Sequence, residues 1–465
     1  MRAANAQSPA DPFPLHRYTL DNGMKIWCQP RTDSRSIIVY LAVRAGSRYE
    51  DEINNGISHF VEHMVFTGTE KWGENEIKNF ITKRGGKWNG YTGKENTYYY
   101  AEVSSEDLEY ALEWISQIVF HPTFPGGKVE KERNVIFQER WGKYGWIVTI
   151  LDRLGLGYNI YEKIEQAIYP DDPLNMRTIG EDEPLGRMRR EELVDYYRKF
   201  YLSNNMHLIV VGGIQPERVL GQAEAFFGDQ PGGELPAAPQ TPEMPENGPQ
   251  RVMIRGPQVT DQCIVITGFR NDGYYSRDHW ALDVLAEILG KRLEEDIRFE
   301  KGLAYGIWSY NRWYGDAGSF AVHTRIDGAD RDTVLDIINA HIDAVRCGDI
   351  GEIELSEAKT ALKGRWALSM EDNFERAKWL EKWMDSTAGN GPVPEYNQLV
   401  DAVAIDDLVR VLNVYAVPRR SFLALHVPIL TVNSGALYLA IIVSIIIVSL
   451  IVRGLCRRRR GHSVT

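Results

Sequence analysis

Two stretches of the chain carry one pattern: EELVDYYRKFYLSNNMHLIVVGGI at residues 191–214 and DDLVRVLNVYAVPRRSFLALHVPI at residues 406–429. Each reads as an amphipathic helix opened by two acids, a short polar connection, and an apolar β-strand. Acids in a first helical turn complement the helix dipole, so each helix start is well marked. A pattern that returns after about 200 residues predicts duplication of one α+β unit.

Residues 17–30 alternate around Asn22-Gly23 and read as a hairpin. Residues 36–45 read as a buried strand and 56–68 as a helix. Residues 89–103 form a strand region, and 105–120 a helix capped by Ser105. The second half repeats this with strands in 251–267, a helix at 278–289, a strand at 319–325 and a helix at 352–363. Between the halves, residues 228–249 are dense in Pro and Gly and predict a linker.

A chain of 465 residues with 43% hydrophobic content builds more than one core. The net charge is −11, and five arginines of an acid-free tail (Arg453 and Arg457 to Arg460) leave −16 for the remainder. A body that acidic repels phosphates, so nucleic acid is excluded as a partner. The four cysteines are scattered and form no CxxC pair, hence no zinc knuckle and no disulfide framework.

Residues 436–452, ALYLAIIVSIIIVSLIV, are 17 residues without a charge, followed by the arginine cluster. They predict a single C-terminal transmembrane helix over residues 435–453 and a lipid bilayer as partner. The arginines would place a basic tail, residues 454–465, in the cytoplasm and the body outside it. The remaining partition is an N-terminal extension at 1–16, a first lobe at 17–227 and a second lobe at 250–428.

The stretch GISHFVEHMVFTG, residues 56–68, raises the question of chemistry. On a helix, residues i and i+4 share a face, so His59 and His63 can reach one ion. Imidazole nitrogens suit Zn²⁺, and Glu62 flanks the ion, placed to take a proton from water there. The competing reading is an amphipathic helix that merely contains two imidazoles. A third ligand is available in VEKERNVIFQER, where Glu132 and Glu139 lie two helical turns apart on one face. One of them can coordinate while the other orients a ligand.

The sequence HFVEHMVFTGT resembles the signature of the pitrilysin/insulinase (M16) metallopeptidase family. Glu139, 76 residues beyond His63, falls where that family has its distal metal ligand, and Glu132 matches its further glutamate. The resemblance implies His59, His63 and Glu139 as ligands of one Zn²⁺ per chain, Glu62 as base and Glu132 as support. GKWNGYTGKENTYYY, with Asn89, is similar to the family's edge strand, on which a peptide substrate is held. In RFEKGLAYGIWS, Arg298 and Tyr305 match a pair that steadies the tetrahedral species from the second lobe. The short, processing-peptidase-like members are half clam-shells that pair, which implies a homodimer here. The implied activity is a zinc endopeptidase; the alternative is a non-catalytic peptide-binding or assembly subunit, and Mn²⁺ or Co²⁺ is an alternative metal. Other histidines (His121, His279, His323, His341) are expected to be structural or exposed, and tryptophans such as Trp72, Trp88, Trp141 and Trp146 to be core or chamber lining.

Overall fold

The computed structural model describes residues 14–142, 147, 150, 160–170, 172–242, 250–385, 393–432 and 435–461. Its first sheet contains β1 (His16–Thr19), β2 (Lys25–Pro30), β3 (Ser36–Val43), β4 (Lys87–Thr92), β5 (Thr97–Ser104) and β6 (Met206–Gly212). Their order is β1-β2-β6-β3-β5-β4, antiparallel except for the β2–β6 pair. The second sheet contains β7 (Gln250–Val259), β8 (Gln262–Asn271), β9 (Ala304–Trp313), β10 (Gly318–Asp327) and β11 (Ser421–Leu430). Its order, β7-β11-β8-β10-β9, with only β7–β11 parallel, repeats that of the first without the leading strand.

The helices follow the same duplication. α1 (Ile57–Val65), α2 (Glu74–Phe80), α3 (Leu108–Phe120), α4 (Gly126–Trp141), α5 (Ile160–Ile168), α6 (Arg190–Phe200) and α7 (Pro216–Phe227) belong to the first half. α8 (His279–Leu293), α9 (Arg331–Arg346), α10 (Glu352–Ser369), α11 (Asn373–Asp385) and α12 (Ile405–Tyr415) belong to the second. Residues 191–214 hold α6 leading into β6, and residues 406–429 hold α12 leading into β11. The helix expected to open at a Ser105 cap instead begins at Leu108 after a 3₁₀ turn, and no side chain caps it.

The near-continuous apolar run of β3 is explained by burial on both faces. Ile37, Val39, Leu41 and Val43 point into a core shared with Phe60, Val61 and Met64 of α1. Ile38, Tyr40 and Ala42 point the other way, onto Ala377, Leu380 and Met384 of α11. Each such aliphatic side chain contributes about 1.5–3 kcal/mol by leaving water. The second sheet is covered on one face by its own α8, α9 and α12, through Leu285, Ile338 and Leu412 among others. Its other face receives Ile160, Ile164 and Ile168 of α5. Each half therefore lends one helix to the other's sheet. An ion cluster adds to the seam: Arg48, 3% exposed, reaches Glu95 at 2.8 Å, Asp316 at 2.7 Å and Asp172 at 3.3 Å. Thr241, in the expected linker, accepts from the same guanidinium at 2.6 Å. Residues 243–249 of that stretch, and Trp146, lie outside the described residues.

The C-terminal expectation does not hold. Residues 436–452 lie in a helix, α13 (Gly435–Gly461). Among the described residues, however, no helix is long and apolar enough to cross a membrane. Seventeen uncharged residues make about 25 Å of helix, short of a hydrocarbon core of about 30 Å, and Arg453 follows at once. The anchor, the bilayer partner and the extracytoplasmic placement of the body fall together.

Candidate metal centre

α1 starts where two glycines meet. Gly56 has φ 96° and Gly180 φ 91°, and a Cβ on either would lie 2.6 Å from the other's Cα. Only glycine satisfies both the left-handed backbone and that approach. The helix start is held by a buried carboxylate six residues earlier: Glu50 accepts from the Gly56 amide at 2.7 Å, the Ser58 amide at 2.9 Å and the Ser58 hydroxyl at 2.6 Å. An anion there answers unpaired amides and the helix dipole together.

α1 then buries Phe60, Val61 and Met64 and leaves His59, Glu62 and His63 along the wall of a cleft of about 530 Å³. α4 packs against it, fixed by Arg133, whose guanidinium donates to the Met188 carbonyl at 2.7 Å and to the Leu185 carbonyl. This brings Glu132 and Glu139 to the same cleft. One ligand atom each from His59, His63 and Glu139 lies within 4.8 Å of the others. Glu139 Oε2 stands 3.7 Å from His59 Nε2 and 3.4 Å from His63 Nε2. Ligands at roughly 2.0–2.1 Å around a tetrahedral ion are separated by about 3.4 Å, so these atoms already have nearly the required spacing. Glu132 Oε2 lies 3.4 Å from His63 Nδ1 and turns the opposite nitrogen toward Glu139.

The electrostatics suit a cation. Burial, reinforced by the neighbouring His63, lowers the His59 imidazole to about 4, so it offers a lone pair at neutral pH. Burial pulls His63 down as well, but hydrogen bonds to Glu132 and Glu139 outweigh it and raise the ring to about 9. The carboxylates of Glu132 and Glu139 that favour positive charge on this ring would favour a divalent cation beside it in the same way. Two imidazoles and a carboxylate are a donor set that fits zinc. Burial pushes the Glu62 carboxyl up to about 7, against a hydrogen bond accepted from the Thr92 hydroxyl at 3.0 Å. A carboxyl poised there exchanges protons near neutrality.

The sequence-predicted residues separate into two groups. His59, Glu62, His63, Glu132, Glu139 and Asn89 line the one cleft. Arg298 and Tyr305 do not. Arg298 lies in a π-helical turn (Glu294–Glu300) that continues α8, and it pairs with Glu294. Tyr305 lies on β9 and is 88% exposed. Three participants went unread in the sequence. Thr92 and Gly90 lie in the segment singled out for Asn89, and a Cβ on Gly90 would stand 3.0 Å from Glu62 Oε1 and from the Phe66 ring. Glu50 carries no local signal, since its role depends on a turn that only the folded chain closes. Two of the other histidines face carboxylates: His279, 2% exposed, lies 3.4 Å from Asp283, and His341 lies 2.9 Å from Asp296.

On this duplicated α+β chain, one HxxEH helix and a glutamate from a second helix bring together a donor set of the inverted-motif kind. Comparison with known proteins agrees. Residues 28–142 match the model of Insulinase (Peptidase family M16), and residues 187–362 that of the Peptidase M16 inactive domain. An uncharacterized zinc protease of Rickettsia bellii is 30% identical over 313 residues, 65% of this chain and 71% of the relative. The beta subunit of the mouse mitochondrial-processing peptidase is 26% identical over 85% of this chain and 81% of its own length. Among solved structures, a protease from Helicobacter pylori superposes with a TM-score of 0.79 at 21% identity, covering 90% of this chain and all of that one. The chain belongs to peptidase family M16.

Proposed function

We propose that the chain is a zinc-dependent endopeptidase acting on peptides or unfolded segments. The observation that carries this reading is the convergence of His59, His63 and Glu139 within 4.8 Å beside a buried Glu62. His59, His63 and Glu139 would hold the metal, with Glu132 steadying His63. The chemistry that zinc supplies in such a site is Lewis acidity, which lowers the pKa of water to about 7. Glu62 takes the proton from the attacking water and returns it to the leaving amine, a shuttle that a carboxyl near 7 performs in both directions. The Thr92 hydroxyl holds its Oε2 in place.

The substrate lies along β4. That strand is the edge of its sheet, so its outer amides and carbonyls are open to an added peptide strand, with Asn89 at the cleft. Arg298 and Tyr305 lie outside their own chain's cleft, so we assign them to the site of a second copy in a homodimer. There a cation and a phenol would stabilise the developing oxyanion.

Glu62→Gln tests the reading. Hydrolysis of a quenched peptide should fall by at least about a thousandfold while zinc remains bound at one per chain. Unchanged hydrolysis in that variant would remove Glu62 as the base. Mixing inactive Glu62→Gln protein with inactive Tyr305→Phe protein should restore turnover; no recovery in the mixture argues against sharing between chains.

A further inference from the structure

A second cavity, of about 410 Å³, opens between the lobes beside the metal cleft, and Tyr91 of β4 is in the wall of both. The first lobe contributes Tyr98 and Asn96; the second contributes Tyr274, Trp313 and Lys382. The acids on its walls already have partners. Glu95 and Asp316 bind Arg48, and Glu381 accepts from Asn96 at 2.8 Å. Lys378 donates to Glu375 at 3.0 Å.

Lys382 is different. Its ammonium lies 4.1 Å from the centre of the Trp313 ring and 5.8 Å from that of Tyr274, and it has no ion pair among the described residues. The Tyr274 hydroxyl, on a side chain 7% exposed, has no hydrogen-bond partner among them either. Burial pulls the Lys382 ammonium down to about 8, against the attraction of Glu381, Asp283 and Glu375.

We propose that this cavity is a substrate subsite for a carboxylate, with Lys382 as its counter-ion and the Tyr274 hydroxyl as a further donor. This rests on the peptidase reading, because it is a peptide laid along β4 that would deliver the group. Asn89 lines the metal cleft and Tyr91, two residues on along β4, lines both, so a peptide strand laid along β4 passes from one to the other. A charged hydrogen bond between ammonium and carboxylate inside an aromatic wall is the strong kind, and a neutral amide of the same shape forfeits it.

The test reads binding and not turnover. Fluorescence anisotropy with zinc-loaded Glu62→Gln protein compares labelled peptides in which one Glu replaces Gln at each position in turn. A second series compares a free C-terminal carboxylate with its amide. One acidic variant should bind about tenfold tighter than its neutral counterpart, and the series in which it appears identifies the group as side chain or terminus. That ratio should fall to about one on adding Lys382→Gln and survive Lys382→Arg. No acid preference at any position overturns the proposal, a result that needs no Lys382 variant to fold. A preference indifferent to Lys382→Gln also overturns it. An acid preference in wild-type protein that cleaves nothing would leave the subsite standing and remove the peptidase reading instead.

Discussion

Replacing Glu132 by Gln perturbs the metal centre without touching a proposed ligand, and its consequence depends on pH in a way that can be worked out. In the ion-free protein His63 is raised to about 9 by Glu132 and Glu139. At pH 7 zinc must therefore displace a proton held two pH units too tightly, which weakens apparent affinity about a hundredfold. Wild-type affinity should rise about tenfold per pH unit between 7 and 9, then level off. Glu132→Gln removes one of the two carboxylates that hold the proton, so its curve should level off sooner. It also removes the support that orients the ring, which costs about 10–100-fold in affinity. The two effects oppose each other at pH 7 and only the second remains at pH 9. The variant should thus look mildly impaired at neutral pH and clearly impaired at pH 9. Competition with a chromophoric chelator across pH 6.5–9.5 measures both curves. Parallel curves, with the same slope up to 9, would refute the part of Glu132 in raising His63.

Three other substitutions have defined outcomes. Glu62 is raised to about 7 in the fold from an ordinary value near 4.5, so between those values the folded state holds a proton that the unfolded state has lost. Stability of the metal-free protein should fall by about 3 kcal/mol as pH rises from 4.5 past 7, and Glu62→Gln should flatten that limb in urea titrations. Gly90→Val places side-chain carbons against Glu62 and Phe66; kcat/KM should drop by at least about tenfold with zinc content unchanged. Glu50→Ala strips three hydrogen bonds from the start of α1 and should cost about 2–4 kcal/mol in chemical denaturation.

The duplication was legible because helix-strand patterning is local: MHLIVVG is β6 residue for residue. HxxEH was legible because i, i+4 geometry needs nothing beyond a helix, and Glu132 and Glu139 obey the same rule on α4. The parts that sequence could not supply all depend on long-range closure. Gly56 needs Gly180 across the fold. Thr92 needs β4 to pass Glu62. The C-terminal run misled because composition registered its apolarity more strongly than its length. Nor did periodicity disclose that α5 and α11 cross to the opposite halves, since an amphipathic helix does not announce which sheet it will cover.

That crossing has a topological consequence. Neither half owns a complete set of layers, so a chain cut within residues 228–249 should yield two fragments that are each insoluble or molten when expressed alone. Produced together, they should reassemble into one particle, held by swapped helices as two clasped hands are held by their fingers.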